Sequence, residues 1–85
     1  MASINEAYRQ WLEAHPQNRV AVIIKTSTPP ADHLAALEAH GLTVTRTFRL
    51  VQAVAATGLA ADMLALLAEP WVVSLEPDQP IHTAL

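Results

Sequence analysis

The sequence predicts an α+β fold in a single domain, with an N-terminal helix followed by elements in the order β-α-β-β-α-β. At 85 residues the chain has room for one hydrophobic core of ordinary size. Its 52% hydrophobic and 15% charged residues are typical of a folded chain rather than a disordered one. Its apolar residues also alternate between helical spacing and period-two spacing, which distinguishes helices from strands.

The first element is predicted to be a helix. Ser3 and Glu6 have the spacing of a capping box, in which two side chains satisfy free backbone N–H groups at a helix start. The helix should end at His15, because a residue that precedes proline is disfavoured in the α region. The hydrophobic residues at helical spacing are Ile4, Ala7, Tyr8, Trp11 and Leu12.

A central strand and a second helix are predicted next. Residues 19–26, RVAVIIKT, are rich in β-branched side chains on both faces, as in a strand with neighbours on either side. Thr28 is placed to cap the following helix, and Pro29 or Pro30 fits its first turn. Gly41 is placed to end this helix.

Residues 42–57 switch to period-two spacing, which predicts two strands joined by a turn near residues 50–52. The second of these strands is built of small residues, and Gly58 is expected to end it. The residues that the first strand places on one face are Val44, Arg46, Phe48 and Leu50.

A third helix over residues 59–69 and a last strand over residues 71–76 complete the predicted elements. The order β-α-β-β-α-β is typical of the ferredoxin-like fold. That fold has two right-handed βαβ crossovers, a four-stranded antiparallel sheet and both helices on one face. We therefore expect the other face of the sheet to be uncovered.

Three alanines in the small-residue strand are the predicted contact surface of that uncovered face. Ala53, Ala55 and Ala56 are small enough to let the backbone of a partner approach closely. The alternative is that they fill tight space under the helices of the same domain. The sequence leaves both interpretations open.

Composition and motifs argue against several classes of protein. The net charge of −3 and the scattering of the five basic residues leave no basic stripe for nucleic acid. No apolar run approaches the roughly 20 residues of a membrane span, and residues 1–11 lack the apolar segment of a secretory signal. We therefore expect neither nucleic acid nor a membrane as a partner.

An enzyme, a metal site and a cofactor are not expected either. The sequence has no cysteine, no G-x-S-x-G elbow, no H-E-x-x-H motif and no glycine-rich phosphate loop. His33 and His40 are separated by about 10.5 Å along a helix, which is too far for one metal ion. We interpret both as surface histidines.

A characteristic order of predicted elements and a short motif occupy residues 43–85, TVTRTFRLVQAVAATGLAADMLALLAEPWVVSLEPDQPIHTAL. A strand, a small-residue strand and a helix precede a P-x-V-x-x-(L/V)-E-x-D motif and an extended tail. The motif residues are Pro70, Val72, Leu75, Glu76 and Asp78. In this order they resemble the propeptides of subtilisin-like serine proteases and the stand-alone inhibitors of the same fold. The resemblance covers residues 20–85.

The resemblance implies an inhibitor of a subtilisin-like serine protease, which in part of the family also acts as an intramolecular chaperone. In such proteins the open sheet face rests on two surface helices of the enzyme. Acidic residues at the end of the last strand cap those helices, a role that falls here to Glu76 and Asp78. Helix electrostatics agree, because a carboxylate at a helix N-terminus meets free N–H donors and the positive end of the dipole.

The resemblance also implies that the C-terminal tail lies in the substrate cleft like a cleaved product, with its last residue in the primary pocket. Pro77 and Pro80 favour extended backbone, which lowers the ordering cost on binding. His82 differs from the family pattern, in which an apolar or small residue is usual at the corresponding subsite. The alternative is an ordinary frayed terminus. The predicted cleft-binding residues are Ile81, His82, Thr83, Ala84 and Leu85.

The chain is thus divided into an N-terminal helical extension (residues 1–16), an inhibitor domain (residues 19–78) and a cleft-binding tail (residues 79–85). We expect a monomer that forms a one-to-one complex with the protease, either cytoplasmic or, as an excised propeptide, extracellular. Two other functions stay open. One is a ferredoxin-like regulatory or oligomerisation module that binds a small molecule or another protein, and the other is a structural pairing module that uses the N-terminal helix.

Overall fold

The computed structural model describes residues 2–78 and confirms the α+β class. The strands are Ser3–Ile4 (β1), Arg19–Thr26 (β2), Thr43–Thr47 (β3), Ala53–Leu59 (β4) and Val72–Pro77 (β5). The α-helices are Glu6–Ala14 (α1), Leu34–Ala39 (α2) and Ala60–Leu66 (α3). A 3-10 turn, Pro30–His33, leads into α2. The bounds of β2 agree with the predicted central strand at both ends.

Within residues 2–78 the sheet has five strands in the order β1-β5-β2-β4-β3. β1 runs parallel to β5, whereas the other neighbouring strands are antiparallel. The predicted four-stranded, wholly antiparallel sheet is therefore wrong. The reason lies at Asn5, whose side chain accepts a hydrogen bond from the Tyr8 backbone N–H at 3.0 Å and caps α1 in place of Ser3. Ser3 and Ile4 consequently stay extended and pair with β5.

One hydrophobic core lies between the sheet and the helices. It includes Leu12 from α1, Leu37 from α2 and Met63 from α3, together with Val22 of β2. Because these side chains meet in one cluster, all three helices cover the same face of the sheet. Leu12 is fully buried, so the N-terminal helix packs as part of the common core.

Replacing Leu12 by alanine is expected to lower the free energy of unfolding by about 2–5 kcal/mol, the usual cost of truncating a large core side chain. Each kcal/mol should lower the melting temperature by about 4–8 °C in a domain of this size. Urea unfolding measures the loss directly. Glu13→Ala, at the exposed neighbouring position, is the control and should cost no more than about 0.5 kcal/mol. A comparably small loss for Leu12→Ala would show that the core does not depend on α1.

Gly41 and Gly58 have different structural roles. Gly41 has φ +87° and ends α2 as predicted, because glycine adopts this conformation without steric strain. The prediction that Gly58 ends its strand is wrong, since β4 continues to Leu59. A Cβ at Gly58 would lie 2.5 Å from Leu42 Cδ2, so the missing side chain makes room for a core residue.

The two histidines at the ends of α2 are partly exposed, and each also packs against another element. The His33 ring stacks on Trp71 with 4.1 Å between centroids, and its Nε2 lies 2.6 Å from the Thr28 hydroxyl oxygen. His40 Nε2 lies 2.8 Å from the Glu69 carboxylate. Thr28 therefore contacts His33, and the prediction that it caps the helix is wrong. These contacts hold α2 against the segment between α3 and β5.

Candidate protein-binding face

The sheet face turned away from the helices is left uncovered by the elements in residues 2–78. Side chains alternate between faces along a strand, so strand pairing identifies the residues on this side. We call it the open face. Its residues are Arg19, Ala21, Ile23, Lys25, Thr43, Arg46, Phe48, Ala53, Ala55, Thr57, Ser74 and Glu76.

Residues of the open face form two rows that cross four strands of the sheet. The first row, from β5 to β3, is Glu76, Ile23, Ala55 and Arg46. The second row is Ser74, Lys25, Ala53 and Phe48. The first row places small and apolar side chains in the middle and charged side chains at the two ends.

The three alanines predicted as a contact surface do not lie on one face. Ala53 and Ala55 form the floor of the open face, with exposures of only 1% and 2% between larger neighbours. Ala56 is paired with Val22 and belongs to the hydrophobic core. The assignment of Ala56 to the contact surface is therefore wrong, because successive residues of a strand point to opposite faces.

Glu76 and Asp78, the predicted helix caps, lie at and just beyond the end of β5. Glu76 Oε2 is 3.6 Å from Lys25 Nζ, and the two side chains are 53% and 51% exposed. An ion pair this exposed contributes little to stability, so Glu76 can exchange it for another partner. Asp78 is partly buried, and its backbone N–H donates to the Ala21 carbonyl at 2.8 Å.

Arg46 joins the open face because of an irregularity that the sequence does not reveal. The strand register shifts between Val44 and Arg46, so Val44 pairs with Ala56 and Arg46 pairs with Ala55. The prediction that Val44 and Arg46 share a face is therefore wrong. The Arg46 guanidinium lies 4.8 Å from the centre of the Phe48 ring. Period-two spacing assumes an unbroken register, and no turn residue marks the shift.

The predicted cleft-binding tail, residues 79–85, follows β5 and Asp78 in the chain. β5 is antiparallel to β2, and the hydrogen bond from Asp78 to Ala21 extends this pairing past Pro77. The segment from residue 79 to residue 85 can span about 23 Å when extended. The residues predicted to bind the cleft lie outside the described part of the chain: Ile81, His82, Thr83, Ala84 and Leu85.

Beyond the open face, residues 2–78 show few features that indicate a function. Residues 2–78 hold no group of three or more side chains that could ligate a metal ion. None of the helices in this range is long and apolar enough to cross a membrane. No protein-family model, curated protein or solved structure matches the chain. The open face is therefore the feature on which a functional proposal rests.

Proposed function

We propose that the chain inhibits a subtilisin-like serine protease, with the open face on the enzyme surface and residues 81–85 in the substrate cleft. The observation that carries this proposal is the alanine floor of the open face, with the carboxylate of Glu76 two strands away across Ile23. Because Ala53 and Ala55 are small and almost fully covered by larger neighbours, they keep the middle of the sheet low, and surface helices of a partner would rest on the residues around them. A carboxylate on the same face is suited to the N-terminus of such a helix.

The arrangement behind the open face supports the same proposal. β5, β2, β4 and β3 are consecutive and antiparallel, and α2 and α3 bury side chains in the core on the covered side. We assign these six elements to a ferredoxin-like arrangement, to which β1 and α1 are added. A rigid sheet of this kind would also order the two surface helices of the protease while the enzyme folds.

Binding would transfer Glu76 from Lys25 to a helix of the protease. The exposed pair with Lys25 is worth little, about 0–1 kcal/mol at most for pairs of this type. A carboxylate at a helix N-terminus contributes about 0.3–1 kcal/mol, and up to about 2 kcal/mol when partly buried. These two ranges overlap, so the transfer gains free energy where the bound sheet partly buries the helix N-terminus and the contact reaches the higher value.

Glu76→Gln is expected to weaken inhibition by about two- to fivefold, which corresponds to the lower range of helix capping. The inhibition constant, measured with a short chromogenic peptide substrate, reports the change. The matched control is Glu13→Gln on α1, because Glu13 also forms an exposed ion pair, at 3.3 Å from Arg9. Equal inhibition constants for these two variants would remove Glu76 from the interface.

The proposal as a whole is tested by titrating the protein against a subtilisin-like protease and, in parallel, a chymotrypsin-fold serine protease. Inhibition of the first enzyme with a one-to-one end point is the expected result. The second enzyme should remain active, because its surface lacks the two helices that the open face would contact. Equal inhibition of both enzymes, or of neither, would contradict the proposal.

A self-association function is the second candidate, and the loop between β3 and β4 favours it. Leu50 is fully exposed in this loop and Val51 is 55% exposed. Large apolar side chains exposed together are common at protein interfaces. Sedimentation velocity distinguishes the two functions, since a concentration-dependent dimer that fails to inhibit the protease would favour self-association.

A further inference from the structure

Arg46 stands at the end of the first row opposite Glu76. Neighbouring strands lie about 4.8 Å apart, so three strand intervals separate the backbones of these two residues by about 14 Å. Ile23 and Ala55 occupy the positions between them and carry no charge. The first row therefore offers a partner two residues of opposite charge whose backbones are held about 14 Å apart.

The guanidinium of Arg46 is both positioned and available. Its packing 4.8 Å from the centre of the Phe48 ring restricts the side chain, while the N–H donors at its edge form no hydrogen bond to another side chain within residues 2–78. Among residues 2–78 the ion pairs are formed by Arg9, Lys25 and His40, and Arg46 takes part in none of them.

Charge is distributed unevenly between the two sides of the domain. The open face carries Arg19, Lys25 and Arg46 against the carboxylate of Glu76, with Asp78 opposite Ala21 just past the end of β5, although the whole chain has a net charge of −3. Lys25 is already paired with Glu76, and Arg19 donates to the Thr57 hydroxyl at 3.4 Å. Among residues 2–78, Arg46 is therefore the cation of this face without a polar side-chain partner. The helices and their connections hold most of the acidic residues: Glu6, Glu13, Asp32, Glu38, Asp62 and Glu69.

We propose that Arg46 binds a carboxylate on the surface of the partner protease, an inference that rests on the proposed function. The cognate enzyme would present an aspartate or glutamate across the sheet from the helix N-terminus that Glu76 caps, facing backbone positions that lie three strand spacings, about 14 Å, apart. The planar fork of arginine suits a carboxylate, which it can bind through two parallel hydrogen bonds. Nucleic acid fits less well, because a strand-binding surface needs several aromatic rings for stacking and the open face has Phe48 alone.

The test compares Arg46→Gln, Arg46→Lys and Arg9→Gln for binding to a subtilisin-like protease whose active site is intact. Arg46→Gln is expected to raise the dissociation constant about tenfold, as for the loss of a hydrogen-bonded charge pair. Arg46→Lys should fall between this variant and the original protein, because lysine keeps the charge without the fork. Arg9→Gln makes the same change of charge on α1 and should have little effect.

Raising the salt concentration provides a second measurement on the same proteins. Increasing it from about 0.1 M to about 1 M shortens the screening length from about 10 Å to about 3 Å. The association rate constant of the original protein should fall markedly, whereas that of Arg46→Gln should fall less. Unchanged melting temperatures would show that the variants remain folded.

Each outcome decides between the two proposals. If the original protein inhibits the protease and Arg46→Gln binds as tightly, the Arg46 contact is wrong while the proposed function stands. If the original protein does not bind the protease, the proposed function and the Arg46 contact both fail. Binding to a fluorescent single-stranded oligonucleotide that is lost in Arg46→Gln would also overturn the carboxylate contact, in favour of a nucleic-acid surface.

Discussion

Removal of residues 81–85 is expected to abolish most of the inhibition of a subtilisin-like protease while leaving the stability of the domain nearly unchanged. The last described strand ends at Pro77, so the truncation removes none of the described helices or strands. It removes every contact that the proposal places in the substrate cleft. The open face and Glu76 would still bind the enzyme, but a small peptide substrate could then enter the cleft. Inhibition should therefore fall much further than binding.

A protease with a covalently blocked active site is the control for this truncation. Because the blocked cleft excludes the tail, the full-length and truncated proteins should bind that enzyme with equal affinity. Leu85→Asp is the corresponding point change, since a charge forced into an apolar pocket costs several kcal/mol unless it is paired. Inhibition constants within about twofold of the original, a difference of only about 0.4 kcal/mol, for both changes would show that the tail does not occupy the cleft.

Phenylalanine substitutions at Ala55 and Ala56 are expected to have opposite effects, although the two residues are neighbours in sequence. Ala56 is in the core, where an added ring should lower the free energy of unfolding by about 1–3 kcal/mol or more. Ala55 is on the open face, where the ring can project into solvent and the melting temperature should change little. The same ring would hold the protease away from the alanine floor. We expect it to weaken inhibition by about tenfold or more, as for the disruption of an interface centre.

Melting temperatures and inhibition constants of the two variants together make this comparison decisive. Each variant serves as the control for the other, because the substitution is chemically identical and only the face of the sheet differs. If Ala55→Phe is destabilised as much as Ala56→Phe, the open face is packed against something in the free protein. If Ala55→Phe is stable and inhibits normally, the protease binds elsewhere.

The larger elements could be predicted because their local signals agree with their packing. The β-branched run that gives β2 is central in the sheet, and its predicted bounds match those observed. Gly41 has the positive φ that a glycine after a helix suggests. The third helix and the last strand also lie where apolar spacing and Pro70 indicate. In these cases a local pattern is sufficient, because the burial of apolar side chains or the backbone freedom of glycine acts within the element itself.

The observed structure differs from the predicted one where contacts between distant parts of the chain override local sequence patterns. β1 is only two residues long, and it exists because the edge of β5 is available to Ser3 and Ile4. Because Ser3 pairs with β5, Asn5 caps α1 in place of the predicted capping box at Ser3. Gly58 remains inside β4 because Leu42 packs against it from another part of the chain. These contacts depend on the assembled sheet and leave no periodic signal in the sequence.

The candidate face was partly predictable for related reasons. Small residues in the third predicted strand indicate a surface for close approach, and strict alternation then requires that Ala55 and Ala56 face opposite ways. Arg46 could not be placed, because a shift in register exchanges the faces of a strand and is not encoded by any one residue type. The contact of Arg46 with Phe48 follows from that shift.

The most direct test of the central claim is to determine by NMR which methyl groups of the chain lie against the protease. Cross-saturation from an unlabelled, active-site-blocked subtilisin-like protease to the methyl-labelled protein reports contacts across the interface. We predict attenuation of the Ile23, Ala53 and Ala55 methyl signals, with little change for Ala35 and Ala65 on exposed helix positions. Attenuation confined to the helix side, or none at saturating enzyme, would contradict the assignment of the open face as the protease-binding surface.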